Sequence, residues 1–348
     1  MPRDDLTDVS IRVNGAAVPT AVQTDLRSVT VQEDLRALSM FTLELYNWDD
    51  ERLQVSWSDS RLFAVGNEVE ISLGYVGDLH QVMVAEITSL EPMFTGDQPP
   101  LLLVRGYDHR HRLARGRKTR TFAQMKDSAI ASQIAREAGL RAQVEDTKVV
   151  LSYVIQGNQS DWEFLQRRAG QIGYEIYVKD KILYFRRPKS QAQPADSLSL
   201  GEDVIEFSPR LSSLTQATEA AVRGWDVKEK KPVVATQRTA GGAGGRTAGS
   251  VAARRAFGAA SVAIIGQPAR TRAEADLVAQ GQFSTMELAY VEGDAVAHGR
   301  PLLQAGTVVD ITGAGQTFSG PYYVTSVTHT MTAEHGYQTS FTVQRNAA

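Results

Sequence analysis

Residue types able to do chemistry are sparse and scattered in this chain of 348 residues. Glu68 and Glu70 lie two apart, on one face of any strand that carries them. That spacing suits a carboxylate pair, and equally a solvated strand face. His109 and His111 are also two apart and have no third ligand type close by in sequence, so they fall short of a zinc site. His329 and His335 stand singly and read as structural or surface residues. The glycines between 241 and 249 superficially resemble a phosphate-cradling loop, but no Lys-Ser pair follows them. No G-x-S-x-G elbow, Walker A sequence, H-E-x-x-H helix or dinucleotide fingerprint occurs. Cysteine is absent, which removes disulfides, thiolate metal sites and cysteine nucleophiles. The expectation is a chain with no catalytic residues, no metal and no cofactor.

Charge offers a different kind of chemistry. Arg105, Arg110, Arg112, Arg115, Arg117, Lys118 and Arg120 fall within sixteen residues. Such a run suits an anion or nucleic-acid contact, a solvated connector, or a face that packs on a neighbouring chain. No aromatic residues interleave it to stack bases, so nucleic acid is not the expected partner. A second basic group, Arg246, Arg254 and Arg255, lies in a Gly-, Ala-, Thr- and Arg-rich stretch from 238 to 260. That composition reads as a long mobile loop, either ordered by a partner or a tolerated insertion. Arg115, Arg117, Lys118, Arg246, Arg254 and Arg255 are the candidate partner contacts.

The elements that position these residues follow from pattern. The hydrophobic share of 42% and the charged share of 22% are those of an ordinary globular protein, and the net charge of −3 gives no global pull toward polyanions. The polar N-terminus and the lack of any apolar run of ~20 residues predict cytoplasmic synthesis and no membrane insertion. Residues 1–107 read as β-rich. Val9, Ile11 and Val13 alternate before an Asn14-Gly15 turn, and Phe41, Leu43, Leu45 and then Val69, Ile71, Leu73 alternate in their turn. Strands at this spacing suggest a closed barrel or a sandwich.

Residues 108–200 read as α+β. A helix is predicted over 122–139, buried through Met125, Ala129, Ile130 and Ile134 and ended by Gly139. The unit from Gln156 to Arg187 organises this region. Ser160 with Glu163 has capping-box spacing, Trp162, Leu165, Ala169 and Ile172 form one stripe, and Gly173 stops the helix. A hairpin turning at Lys179-Asp180 follows, and residues 189–198 read as a linker. Residues 201–348 return to strands around a helix that starts at Thr271 and Glu274. No internal repeat is legible along the chain.

In order, these features resemble the phage late control protein D family, the hub proteins of contractile-tail baseplates, to which the N-terminal hub region of VgrG-type spike proteins is related. Three stretches carry the resemblance. The first runs from Gly106-Tyr107-Asp108 through Thr119-Arg120-Thr121-Phe122 to Ile134-Ala135-Arg136-Glu137-Ala138-Gly139-Leu140. The second, and most specific, is Gln156-Gly157-Asn158-Gln159-Ser160-Asp161-Trp162-Glu163-Phe164-Leu165, continuing to Ile172-Gly173-Tyr174 and Leu183-Tyr184-Phe185. The third is Gly306-Thr307-Val308-Val309 through Phe318-Ser319-Gly320-Pro321-Tyr322-Tyr323-Val324, then His329 and Gly336-Tyr337-Gln338-Thr339.

The resemblance implies a mainly β chain with an α+β insertion: a first hub barrel at 1–107, the insertion at 108–200 and a second hub barrel at 201–348. Two tube-domain-like barrels per chain would let a homotrimer form a pseudo-sixfold ring. Such a ring would join a sixfold inner tube to a threefold spike and would also bind baseplate adaptor proteins. The chain ends directly after the last hub strand, so the expected spike is a separate protein, the other possibility being that the sequence is a truncated piece of a longer chain. Members of this family are components of phage tails or contractile injection particles. The competing readings are a tail-tip cell-wall hydrolase and an adhesin.

Overall fold

The computed structural model describes residues 6–226, 229–238, 246–264 and 269–348. The first part of the chain is β1 (Thr7–Val13), β2 (Ala16–Ala17), α1 (Thr20–Asp25), β3 (Leu26–Asp34), β4 (Met40–Tyr46), a 3₁₀ turn at Arg61–Phe63, β5 (Glu68–Tyr75), β6 (Asp78–Met93) and β7 (Leu101–Tyr107). The apolar alternation seen in sequence turns inward, and Ile11, Val29, Val31, Phe41, Leu43, Val69, Ile71 and Val104 form one core.

The middle part is α2 (Arg110–Ala114), β8 (Lys118–Met125), α3 (Asp127–Glu137), β9 (Arg141–Val144), β10 (Leu151–Gln159), α4 (Asp161–Gln171), β11 (Glu175–Lys179) and β12 (Ile182–Arg186). Both arms of the expected capping box form at the start of α4. Gly173 adopts a φ of 64° where the helix stops. The hairpin turns at Asp180 and Lys181, both at positive φ, one residue later than expected. The helix expected over 122–139 is shorter. Its first residues belong to strand β8, which pairs antiparallel with β10: Phe122 is buried in the central core, Arg120 on the same face lies 5.0 Å from its ring centroid, and the alternate residues Thr121 and Ala123 face outward.

The last part is β13 (Asp196–Ser199), β14 (Val204–Leu211), β15 (Glu219–Asp226), β16 (Lys231–Arg238), α5 (Gly249–Phe257), β17 (Ser261–Ile264), α6 (Arg272–Leu288), β18 (Val291–His298), β19 (Val308–Thr312), α7 (Gly315–Phe318), β20 (Gly320–Thr332) and β21 (Gly336–Arg345). Two expectations change here. The stretch 238–260 is not one long loop: residues 249–257 are helical, because alanine and arginine are strong helix formers and Ala253 has a buried face to pack. Residues 239–245 lie outside the described residues. The span 201–348 also divides between two cores. Val222, Val233, Ala235, Ala275, Val278 and Ala279 join the central core with Phe164, Leu165 and Phe185, whereas Val291, Ala297, Ile311, Tyr322, Phe341 and Val343 form the C-terminal core.

The sheet order contains a duplication that the sequence conceals. Thirteen strands share one sheet. Its first half runs β1-β5-β6-β7-β4-β3, and its second half runs β13-β19-β20-β21-β18-β14. Counted in chain order within each half, with the two-residue β2 beside β1 left aside, both read first, fourth, fifth, sixth, third, second. The irregularities coincide too. The second strand of each half bulges at its start, between Leu26 and Ser28 and between Val204 and Glu206. The fifth bulges between Ile87 and Ser89 and between Val324 and Ser326. Around the latter bulge the sequences are Ile87-Thr88-Ser89-Leu90 and Val324-Thr325-Ser326-Val327.

Gly66 and Gly306 enter the fourth strands at φ 93° and 86°, a conformation that costs glycine little. The Gly66 N–H donates to Ile87 O and the Gly306 N–H to Val324 O, each at 2.8 Å. The reverse bonds, Ile87 N–H to Asn67 O and Val324 N–H to Thr307 O, are each 2.9 Å. One difference is that β1 pairs antiparallel with β5, while β13 pairs parallel with β19.

The halves are fused through a seam in which Ser326–Thr332 of β20 pair antiparallel with Ser28–Asp34 of β3. Two closed barrels were expected. Among the described residues no ladder joins β1 to β3, and β13 and β14 are linked only by the bridge Leu200–Val204. The mainly β architecture is as expected, and among the described residues the two halves do not close into barrels and share one seam.

Candidate functional site

The residues whose types could do chemistry are drawn into structural contacts. Glu68 meets Lys181 at 2.7 Å and His109 at 3.4 Å, whereas Glu70 faces Arg12 at 3.9 Å. His109 and His111 both turn toward Glu86, with His111 Nε2 at 2.6 Å and Arg112 Nε donating at 2.8 Å. Burial alone would push the Glu86 carboxyl up, but the Arg112 and His111 hydrogen bonds and the nearby His109 outweigh it and bring it down to about 2. Burial pushes His109 down. His329 is buried, with Nδ1 2.9 Å from the Tyr337 hydroxyl, and burial lowers it to about 4, so the ring is neutral near pH 7. Among the described residues no group of three or more His, Asp or Glu side chains is placed to hold a metal ion. No described helix is long and apolar enough to cross a membrane.

The basic run is mostly an internal clamp. Arg110 is buried: its Nε donates to Asp108 Oδ2 at 2.6 Å and its Nη1 to Asp34 O at 2.8 Å, and the guanidinium lies 5.3 Å from the Trp162 ring centroid. It therefore ties β3 to α4. Arg120 donates to Gln156 at 2.8 Å and to Asp161 at 2.9 Å. Of the candidate contacts, Arg117 pairs with Glu163 at 2.9 Å and Lys118 with Asp161 at 2.6 Å. Arg246 donates to Gln316 O at 3.2 Å. Arg115, Arg254 and Arg255 are exposed, the last two on α5. The structure does not bring the six together: Arg115, Arg117 and Lys118 flank β8, and the other three lie on and just before α5.

Two strand edges, which sequence reasoning missed, stand out instead. β6 pairs with β5 through Asp78–Glu86 and with β7 through Glu86–Met93, so beyond the bulge its β5-side edge has no ladder among the described residues. Among the described residues β14 pairs only with β18. Apolar side chains crowd both edges: Phe94 is 63% exposed and Met93 39%, while on the other edge Ile205 is 50%, Leu211 37% and Leu214 88% exposed. Open edges carrying exposed apolar side chains are templates for another strand. The repeated Thr-Ser pair at Thr88-Ser89 and Thr325-Ser326 was the signal that could have located them. A separate cavity of about 980 Å³ lies between α4, α6 and the 187–192 segment, lined by Gly170, Gly173, Gln282 and Ser284.

Comparison with known proteins bears on the fold. A family model described as the Alg8 N-terminal domain matches residues 3–333. No curated protein matches the chain in sequence. The 43 kDa tail protein of prophage MuSo2 from Shewanella oneidensis superposes with a TM-score of 0.71 at 15% identity, over 98% of each chain. A tail protein from Neisseria meningitidis MC58 gives 0.70 at 13% identity, over 98% of this chain and 97% of that one. An E. coli component of the type VI secretion system, described as structurally similar to the T4 tail proteins gp27 and gp5, gives 0.63 at 14% identity, over 96% and 76%. At these identities the likeness is one of fold, and the fold is that of tail proteins, as the resemblance to the late control protein D family implied.

Proposed function

This chain belongs to the family described as the Alg8 N-terminal domain, and from its fold we propose that it is the structural hub of a contractile tail or injection-system baseplate. In this reading the chain is a homotrimer, and it joins a sixfold inner tube to a threefold spike. Its work is architectural and not catalytic. The observation that carries the reading is the duplicated strand order, with matching bulges and matching glycine hydrogen bonds in the two halves.

The physical argument is one of symmetry. Identical subunits in a ring of six cannot also present three equivalent sockets. Three copies of a chain holding two related units give six similar faces and three equivalent positions for the spike. The two halves here are alike in backbone and unlike in side chains, which is what such an adaptor needs. The exposed arginines on α5 and at Arg115 are the proposed contacts to tube, spike or adaptor proteins.

Light scattering of the purified chain across a concentration series tests the trimer, and a mass near three chains is the expected result. Zymography on peptidoglycan tests the absence of catalysis. A chain that stays monomeric at every concentration and clears peptidoglycan would overturn the hub reading in favour of a tail-tip hydrolase.

A further inference from the structure

The seam inside the chain specifies how one copy meets the next. Matching bulge to bulge makes Ser89 equivalent to Ser326 and Leu90 to Val327. By the same rule Leu26 is equivalent to Val204, and hence Gln32 to Arg210 and Glu33 to Leu211. Within the chain, the fifth strand of the second half lies on the second strand of the first half, with Ser326 opposite Asp34, Thr328 opposite Gln32 and Thr330 opposite Thr30. The complementary pair, the fifth strand of the first half and the second strand of the second half, consists of the two open edges described above.

We infer that residues 89–95 of one copy pair antiparallel with residues 206–212 of a neighbouring copy, in the register of the internal seam. This rests on the proposed ring and specifies its interface. Transferring the register puts Ser89 opposite Ser212, Leu90 opposite Leu211, Glu91 opposite Arg210, Pro92 opposite Pro209, Met93 opposite Ser208, Phe94 opposite Phe207 and Thr95 opposite Glu206.

The chemistry of these pairs is complementary, although nothing in the transfer selected for it. Two rungs join apolar side chains, and one joins opposite charges, each a stabilising cross-strand pair. The two prolines fall on the same rung. The bond from Leu35 N–H to Thr325 O, 3.2 Å, marks the rungs 35/325, 33/327 and 31/329 as those that exchange backbone hydrogen bonds. Pro92 and Pro209 occupy the equivalent of 31/329, where each would otherwise present an N–H. Opposite one another they silence a single rung. Against any other strand each proline would spoil a rung of its own, so the pair disfavours unrelated partners as edge prolines do. The contact is heterologous, because one copy offers β6 and the next offers β14, and such contacts close into rings when the rotation allows.

The test uses the absence of native cysteine. Met93→Cys with Ser208→Cys places thiols on a rung of the closer, non-hydrogen-bonded type. Met93→Cys with Glu206→Cys is the same design two rungs out of register. Mild oxidation of the full chain should convert most of the first variant into covalent species of two and three chains, and little of the second. Arg210→Glu should weaken assembly about tenfold or more, and adding Glu91→Arg in the same chain should restore it, with circular dichroism confirming that each variant is folded. A three-chain mass without the 93/208 cross-link would overturn the seam while leaving the ring intact. A monomer at every concentration would overturn both.

Discussion

Replacing Gly281 with alanine tests how the central core is assembled. Alanine for glycine inside an exposed helix ordinarily stabilises by about 1 kcal/mol. Gly281 lies in α6 where it crosses the end of α4. A Cβ there would sit 2.1 Å from the carbonyl carbon and oxygen of Ile172 and 2.5 Å from the Gly173 nitrogen. These are backbone atoms and cannot rotate aside, so reaching ordinary contact requires the two helices to part by more than 1 Å, on the order of the gap between a clash and a van der Waals distance. Parting them would also stretch the bonds from Gln282 Nε2 to Gly170 O, 2.7 Å, and to Gln171 O, 3.2 Å. Overpacking costs about 1–3 kcal/mol and a lost hydrogen bond about 1 kcal/mol, against the helix gain of about 1 kcal/mol. The expected net loss is about 1–3 kcal/mol, read from urea unfolding. Gly170→Ala is the control, since that glycine lies in α4 with nothing within 4 Å of its Cβ position, and it should gain about 0.5–1 kcal/mol. Equal stabilisation by both substitutions would refute the close crossing.

Other predictions bear on the charge cluster, the duplication and the helix cap. The Glu86 carboxyl is held at about 2, below its ordinary 4.5, so its stabilising contribution is full above pH 4.5 and is lost as pH falls from there toward 2. Glu86→Gln should lower stability at pH 7 and flatten that acid limb in a series of thermal melts. Gly66→Ala and Gly306→Ala should each cost about 1–2 kcal/mol, and nearly the same amount, because both strain the same left-handed backbone and neither Cβ meets an atom closer than 3.4 Å. A severalfold difference in cost would contradict the equivalence of the halves. Ser160→Ala should cost about 1 kcal/mol through loss of the α4 cap, measured in urea.

Local chemistry was legible in the sequence and long-range pairing was not. The capping box at Ser160 and Glu163, the stop at Gly173 and the alternation of β1, β4 and β5 are set by residues a few positions apart. The start of α3 was misplaced because Lys118, Thr119, Arg120 and Thr121 carry little apolar signal, and the strand they form is fixed by β10, some thirty residues downstream. The helix α5 was hidden by composition, since alanine lowers complexity whether or not it is helical. The basic run suggested an outward face, yet Arg110 and Arg112 are consumed by Asp108 and Glu86. The duplication escaped because its halves share only backbone-defining residues, such as Gly66 with Gly306 and Thr88-Ser89 with Thr325-Ser326. Core positions require only an apolar residue, so they diverge without penalty.

The shared seam also explains how a duplicated chain can favour three copies over larger or open assemblies. In the proposed ring half of the seams are already made within each chain and cost no association entropy, so only three contacts bear the price of bringing chains together. Those contacts need less intrinsic strength than the six of an unfused ring. They also need discrimination, because an open edge of this length invites any strand. The inner seam is free of that danger. It carries His329, buried at the position equivalent to Pro92 and held by the Tyr337 hydroxyl at 2.9 Å, where a proline would forfeit a rung for nothing. The outer edges carry prolines on both sides. Duplication thus lets one seam evolve for cohesion and its twin for selectivity, a division that a ring of six identical subunits could not make.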